Sequence, residues 1–260
     1  MNWNNSFAIS SVVIRELLRR KDFYVLFILT VLITGLAGSI NFFNNPQIVN
    51  WLKELSLTLI WLSSLVIAIT TTARQLPAER ESRTIFPLLA KPITRAEVVV
   101  GKFIGCWQAC GAALVVFYVF FGIMISAKGG SLSWETLFLA MLLHWSLLGI
   151  VISMSLLGSL LFTSVSANVT ICFIIVSGIL FAGLYLGKVA DQQPEPVQTI
   201  LLALYYVIPQ LGFFYEPRAF IIHGGSLQWS YSLLAMLYAL AYSAAFLTAS
   251  WLAFRRKALN

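Results

Sequence analysis

The chain has 260 residues, of which 59% are hydrophobic, 14% aromatic and only 10% charged. This composition excludes an ordinary soluble domain and indicates a polytopic membrane protein. The net charge of +7 could suggest nucleic-acid binding, but thirteen of the 17 basic residues fall on one predicted side of a bilayer. We therefore attribute the charge to membrane topology and expect no nucleic-acid partner.

The first predicted element is a helix over residues 7–22. Its apolar positions, including Val13, fall on one helical face, while basic positions, including Arg15, fall largely on the opposite face. Helices with this amphipathic pattern are typical of the membrane surface. We therefore predict an interfacial helix that leads into the first membrane span.

Six membrane spans follow from a search for stretches of about 20 uncharged, mainly apolar residues, enough to cross about 30 Å of hydrocarbon. Four of them are residues 23–40, 55–73, 103–126 and 231–254. Residues 136–187 form a run of 52 residues without a charge, which would be about 78 Å long as one helix. This run must fold back once, and we place the turn at the weakly helical residues 164–168, giving spans four and five.

The connection between spans five and six, residues 188–229, contains a further apolar stretch. Residues 196–209 begin and end with proline and are too short to cross a bilayer. A second short apolar stretch with its own proline follows. We predict short re-entrant or surface-lying helices here, with an apolar loop folded on neighbouring helices as the alternative.

The distribution of Lys and Arg predicts the orientation of the spans, because cytoplasmic connections carry an excess of basic residues. Thirteen basic residues fall on one side of the predicted bilayer and four on the other. We therefore predict a multi-pass protein of a bacterial inner (plasma) membrane, with a single transmembrane domain over residues 1–260 and both termini cytoplasmic. Residues 74–102 would face the cytoplasm and residues 188–229 the outside.

Common catalytic motifs are missing from the sequence. It contains no G-x-x-x-x-G-K-[ST], G-x-S-x-G or H-E-x-x-H pattern, so we expect no cofactor and no ATP held in a P-loop of this chain. His144 lies in span four without an acidic neighbour, and we interpret it as a neutral, hydrogen-bonded core residue. The cysteines lie in apolar runs, which favours structural thiols over a metal site; they are Cys106, Cys110 and Cys172.

The charged segment between spans two and three, residues 74–102, holds six basic residues. It resembles the first cytoplasmic loop of ABC type-2 transporter permeases in the motifs Glu79-Arg80-Glu81-Ser82-Arg83-Thr84, Leu88-Leu89, Lys91-Pro92, Thr94-Arg95 and Gly101-Lys102. In that family the Gly-Lys pair opens the third helix. The layout of an N-terminal amphipathic helix, six spans and short outer helices before the sixth is similar too. One position departs from the pattern, because Arg83 replaces a glycine and disfavours the positive φ that glycine allows.

The resemblance implies the permease subunit of an ATP-driven exporter, which is a transport subunit and not an enzyme. It also implies two partners. One is a separate ABC ATPase subunit that binds the ATP, and the other is a second copy of this chain or a homologous permease, with which the chain forms the translocation pathway as a dimer.

The same resemblance assigns the contact with the ATPase to five residues of the loop: Glu79, Arg80, Glu81, Arg83 and Thr84. A short helix over residues 76–86 could insert into a groove on the ATPase, and Pro87 and Pro92 would stiffen the return to the membrane. The alternative is that these charges only solvate a cytoplasmic loop.

Small and polar side chains of span two are candidates for lining the pathway: Thr58, Ser63, Thr70 and Thr71. Helix packing would explain each of them equally well. Gly35 and Gly38 of span one are further candidates for packing or lining, and close approach of neighbouring helices is predicted at three glycines: Gly101, Gly105 and Gly158.

The predicted spans contain no Asp, Glu, Lys or Arg, which counts against an ion-coupled carrier. An uncharged route suits amphipathic or lipid-linked molecules better than bare ions, and membrane lipids are expected contacts. Two other classes stay open, an intramembrane enzyme and a noncatalytic membrane scaffold. An enzyme would need a catalytic set within the spans, and a scaffold would have no ATPase partner.

Overall fold

The computed structural model describes residues 3–18, 21–39, 46–81, 94–162 and 164–256. In these residues nine α-helices follow one another: α1 Trp3–Leu18, α2 Lys21–Ser39, α3 Pro46–Glu81, α4 Arg95–Ala127, α5 Trp134–Leu161, α6 Val165–Ala190, α7 Val197–Val207, α8 Pro217–His223 and α9 Trp229–Arg256. A 3₁₀ helix, Leu211–Phe214, connects α7 to α8. The predicted all-α membrane protein is confirmed.

Five of these helices are long and apolar enough to cross a membrane, namely α3, α4, α5, α6 and α9. They confirm predicted spans two to six. The first predicted span coincides with α2, whose apolar part Tyr24–Leu36 is shorter than the other five. The helix α7 and the segment Leu211–His223 form an apolar pair bent by 42°, as in a broken span or a re-entrant loop. The predicted short helices are therefore present, and they also pack on neighbouring longer helices.

The turn between spans four and five is confirmed, but it is shorter than predicted. The helix α5 ends at Leu161 and α6 begins at Val165, with the Ser164 hydroxyl accepting a hydrogen bond from Ala167 N. Asn168, which we placed in the turn, lies inside the first turns of α6. Its side chain bonds to two other helices, and this tertiary contact overrides the low helix propensity of asparagine.

The charged segment 74–102 contains less loop than predicted. We expected a separate short helix over residues 76–86, but α3 continues unbroken from the membrane to Glu81. At the other end of the segment, Gly101-Lys102 does not begin the third span, because the corresponding helix, α4, begins at Arg95. Thr94 and Glu97 form a reciprocal capping box there, which supplies the early start.

The N-terminal helix α1 packs along the first half of α4. Ile9 and Val13 are buried in this contact. A Cβ atom at Gly101 would come within 2.9 Å of Ile9 Cβ, and one at Gly105 within 2.8 Å of Val13 Cβ, so the predicted close approach at these glycines is confirmed. Val13, on the apolar face that we assigned to the membrane surface, thus packs against α4, and the interfacial position of α1 stays a prediction.

The helix α5 lies at the centre of the bundle, where it contacts α3, α4, α6 and α9. It is apolar around its whole circumference, and most of its side chains are buried. Such a helix belongs in the interior of a membrane bundle. The middle of the bundle is the region where α5 contacts α3 and α4. The charged residues lie at the two ends of the bundle.

Candidate functional site

One end of the bundle, here called the Lys102 end, contains α1, the C-terminal turns of α3 and α9, and the N-terminal turns of α4. Lys102 is 1% exposed, and its Nζ lies 2.6 Å from Glu79 Oε1. It also lies 3.4 Å from Gln75 Oε1 and 3.5 Å from Gln75 O. A buried ammonium is costly unless it is paired, so this contact fixes the end of α3 against α4.

The five predicted coupling residues are only partly within the described residues. Glu79 lies in the last turns of α3 and is 32% exposed, with one carboxylate oxygen facing Lys102. Arg80 and Glu81 belong to the same helix, but their side chains lie outside the described residues, as do Arg83 and Thr84 altogether. Their contact with an ATPase stays a prediction.

A second set of polar contacts ties α1 to the start of α4. Glu97 Oε2 accepts from Thr94 N at 3.0 Å and from Asn5 Nδ2 at 3.3 Å. Ser6 Oγ donates to Glu97 O at 3.4 Å. Glu97 is therefore buried as a helix cap that also holds α1.

The C-terminal end of α9 joins the Lys102 end through Arg95. Its guanidinium donates to the backbone carbonyls of Phe254 and Arg255, and it stacks over the Phe254 ring at 5.3 Å. A cation at a helix C-terminus satisfies carbonyls that have no partner within the helix. Four helices, α1, α3, α4 and α9, are thus joined at the Lys102 end. The charged side chains that join them belong to a segment that sequence analysis predicted to be a loop.

The continuity of α3 depends on a side chain from α6. Pro77 lies inside α3 and has no N–H to donate to Ala73 O, four residues earlier. Asn168 Nδ2 donates to that carbonyl at 3.2 Å and to Ser155 O at 3.4 Å. Gly158 provides the space for Asn168, because a Cβ atom there would collide with Asn168 Oδ1. The predicted close approach at Gly158 is therefore confirmed.

The four predicted pathway residues have different surroundings. Thr58 is exposed and accepts a hydrogen bond from Arg218 Nη1 at 2.8 Å, whereas Ser63 is buried and lies 3.1 Å from Thr30 Oγ1 of α2. Thr70 and Thr71 are half-buried and donate to carbonyls of α3 itself. The structure gives all four a local hydrogen-bond partner, and their role in a pathway stays a prediction.

The middle of the bundle contains a buried hydrogen-bond chain. His144 of α5 is 3% exposed, with Nε2 2.7 Å from Ser64 Oγ of α3 and Nδ1 3.3 Å from Tyr118 OH of α4. Ser64 Oγ donates to Trp61 O at 2.8 Å. A neutral imidazole that donates from Nε2 and accepts at Nδ1 therefore satisfies the whole chain. The predicted hydrogen-bonded core role of His144 is confirmed, although its two partners were not identified.

A tryptophan clasp joins α4 to α5, and sequence analysis missed it. The two indoles of Trp107 and Trp145 stack with centroids 4.5 Å apart, and each Nε1 donates to the other residue's backbone carbonyl at 2.9 Å. Gly111 and Gly149, each four residues further on, make room for the rings, since a Cβ at Gly111 would lie 2.5 Å from Trp145 Nε1. The repeated Trp-x-x-x-Gly pattern in neighbouring spans was the available signal.

The opposite end, here called the Lys53 end, holds α8 over α3. Lys53 is 4% exposed and donates from Nζ to Ser131 O at 3.0 Å and to Ile221 O at 3.3 Å. Arg218 lies over the Tyr215 ring at 3.5 Å while it donates to Thr58. These two cations anchor the short helices to the longer ones.

Metal chemistry receives no support from side-chain clustering in the described residues. Within those ranges no group of three His, Cys, Asp or Glu side chains is placed to hold a metal ion. The three cysteines are buried and unpaired with one another. Their burial places these thiols in the apolar core, and the expectation that they hold no metal stays a prediction.

The fold and its apolar helices are those of a multi-pass membrane protein. The sequence matches the family described as ABC-2 family transporter protein over residues 8–259. The chain belongs to this family. A comparison with curated proteins finds no match to the sequence.

Proposed function

We propose that the chain is the permease subunit of an ATP-driven exporter, which forms the translocation pathway as a dimer and is driven by a separate ABC ATPase. Membership of the ABC-2 family supports the class. The observation that carries the coupling is the continuous helix α3, which extends to Glu81 and pairs with Lys102 of α4 through Glu79. A force applied to residues 82–93 would therefore reach two spanning helices together.

The proposed orientation places the Lys102 end and both termini in the cytoplasm of a bacterial cell. Its support is the excess of basic residues on that side, thirteen against four. The test uses a cysteine-free variant with a single cysteine at Ser82 or at Gln192, the latter exposed beyond α6. An impermeant thiol reagent should label the two positions from opposite sides of the membrane. Labelling from the same side would reject this topology.

The decisive experiment separates ATPase docking from the internal contact of Glu79. We expect that replacing Arg80, Glu81 and Arg83 together by alanine leaves the fold intact, because the Lys102 pair is retained. Recovery of an ATPase that co-purifies with the tagged chain should fall strongly. The matched control is Lys128→Ala, an exposed cation beyond the other end of α4.

Mass spectrometry of the co-purified protein identifies it by a P-loop sequence. The docking proposal requires that the control retains this partner and that the triple variant loses it. Full recovery of the ATPase, with full stimulation of its turnover, in the triple variant would place the contact elsewhere. Absence of any ATPase partner from the wild-type chain would favour the scaffold class.

The proposed cargo is an amphipathic or lipid-linked molecule. The predicted spans contain no Asp, Glu, Lys or Arg, so a pathway formed between two copies of the chain would be uncharged. Such a route offers little compensation for the hydration that a bare ion would lose. The apolar part of an amphipathic molecule could instead remain in contact with membrane-facing helices.

A further inference from the structure

A cavity of about 170 Å³ lies between α4, α5 and α9, away from the predicted pathway residues of α3. Its walls are almost entirely apolar. Aromatic rings form one side and α9 the other, through Phe103, Trp107, Trp145, Met236, Ala239 and Leu240. The tryptophan clasp is therefore also the wall of a cavity.

Three of the four polar side chains of this wall donate hydrogen bonds within the protein. Both indole N–H groups donate to backbone carbonyls across the α4–α5 contact at 2.9 Å. The hydroxyl of Ser146, which also lines the cavity, donates to Leu142 O at 2.9 Å. An occupant would therefore meet mainly aromatic faces and aliphatic side chains, together with the hydroxyl of the buried Ser243, a lining that disfavours a charged group.

The cavity opens onto the surface of the bundle, midway along its spanning helices. Its lining residues of α5 and α9 lie near the middle of these two spanning helices. Leu240, which is 53% exposed, lies at its margin and brings the cavity to the surface of the bundle. The medium next to a bundle surface at this depth is hydrocarbon.

We propose that this cavity is a binding site for an alkyl chain. Its volume is slightly above the roughly 150 Å³ of an apolar protein cavity that holds one benzene molecule, so about six or seven chain carbons would fit. An empty cavity would forfeit the dispersion contacts of its wall, and a hydrocarbon chain restores them. The alkyl-chain site requires that the bundle lies in a membrane, but it does not require that the chain binds an ATPase. Either this proposal or the proposed function can therefore be rejected without the other.

The chain could come from a bilayer phospholipid or from a single-chain amphiphile, and two photoreactive probes distinguish these sources. One is phosphatidylcholine with a diazirine in the middle of an acyl chain, and the other is a long-chain alcohol with the same group. Each is added to the full-length chain in phosphatidylcholine vesicles and irradiated, and labelled residues are mapped by mass spectrometry. Labelling by one probe alone assigns the source, and labelling by both assigns a site that recognises the chain without its headgroup.

The expected order of labelling along α9 differs from the order of solvent exposure. Ala239, which is buried, and the partly buried Met236 should be labelled above Leu234 and Leu237, which face outward on the same helix. Labelling that follows exposure along α9 with both probes would overturn the proposal.

Two variants test the same site by filling or closing it. Ala239→Phe should abolish most of the labelling at Met236, and Leu240→Trp at the margin should reduce it. The matched control, Ala244→Phe at an exposed position of α9, should leave it unchanged. If Ala239→Phe does not give a folded, monodisperse protein, Leu240→Trp carries the comparison, because its side chain is half exposed. Equal labelling of Met236 in a folded cavity variant and in the control would also overturn the proposal.

Discussion

The Lys102 end and the middle of the bundle hold the same helices together with different chemistry. At the Lys102 end, α3 and α4 are joined by a salt bridge of 2.6 Å between Lys102 and Glu79. In the middle they are joined through α5 by the neutral chain of Ser64, His144 and Tyr118. A salt bridge therefore joins the helices where one of its two partners is still partly exposed. Neutral hydrogen bonds join them where all the partners are buried.

The difference follows from the cost of removing charge from water. Glu79 remains about one-third exposed, so part of its charge stays solvated. His144 has no such access, and a charged group near the centre of a spanning helix would need a partner of opposite sign. The Lys102 end therefore depends on the pairing of charges, while the middle depends on packing and on satisfied hydrogen bonds.

The largest effect is expected from breaking the salt bridge on its exposed side. Glu79→Gln leaves the buried Lys102 without a carboxylate and should lower the free energy of unfolding by about 2–3 kcal/mol, below the usual range for fully buried pairs because Glu79 is partly solvated. Lys102→Met removes the buried charge and should cost only about 1 kcal/mol. Unfolding of the purified chain in detergent measures both.

The control for this comparison is Glu54→Gln, an exposed carboxylate on the same helix, which should change stability by less than about 0.5 kcal/mol. The double variant of Glu79 and Lys102 should be more stable than Glu79→Gln alone. A larger loss from Lys102→Met than from Glu79→Gln would show that the lysine stem, and not the buried charge, dominates this end.

An intermediate effect is expected where α1 packs on α4 at the Lys102 end. Gly101→Ala places a Cβ 2.9 Å from both Ile9 Cβ and the backbone oxygen of Ser6, and it should destabilise the chain by about 1–3 kcal/mol. Gly35→Ala is the matched control, since no heavy atom lies within 4 Å of its Cβ. Alanine favours the helix by up to about 1 kcal/mol there, so its stability should stay equal or rise.

The same unfolding assay distinguishes these two glycines. Equal behaviour of both variants would mean that α1 moves away from α4 without cost. The Lys102 end would then be held by its charged contacts alone.

Local sequence patterns were sufficient for much of the fold. The uncharged runs located the helices that became α3 to α6 and α9. Gly101 correctly indicated a close contact, and the weakly helical residues 164–168 indicated a turn that the structure places at their N-terminal edge, before Val165. These features depend on neighbours in sequence, which a pattern can report.

The features that sequence analysis missed depend on partners far along the chain. Pro77 normally ends a helix, but the missing N–H is replaced by Asn168, 91 residues later. Lys102 appeared to begin a helix, but it lies within α4 and pairs with Glu79. The five coupling residues were assigned from a family pattern, and no pattern within the chain identifies the internal contact of Glu79.

The smallest effect is expected in the middle of the bundle. Hydrogen bonds between membrane helices contribute about 0.6 kcal/mol on average, because the unfolded chain in the membrane also finds partners. Tyr118→Phe removes one bond to His144 Nδ1 and should cost about this amount, whereas His144→Leu removes both bonds of the imidazole and should cost about 1–2 kcal/mol. Tyr185→Phe, at an exposed tyrosine of α6, is the control and should have no measurable effect. If Tyr118→Phe proved as damaging as Glu79→Gln in the same detergent, the middle of the bundle would depend on polar contacts as strongly as the Lys102 end, and the contrast between the two regions would be wrong.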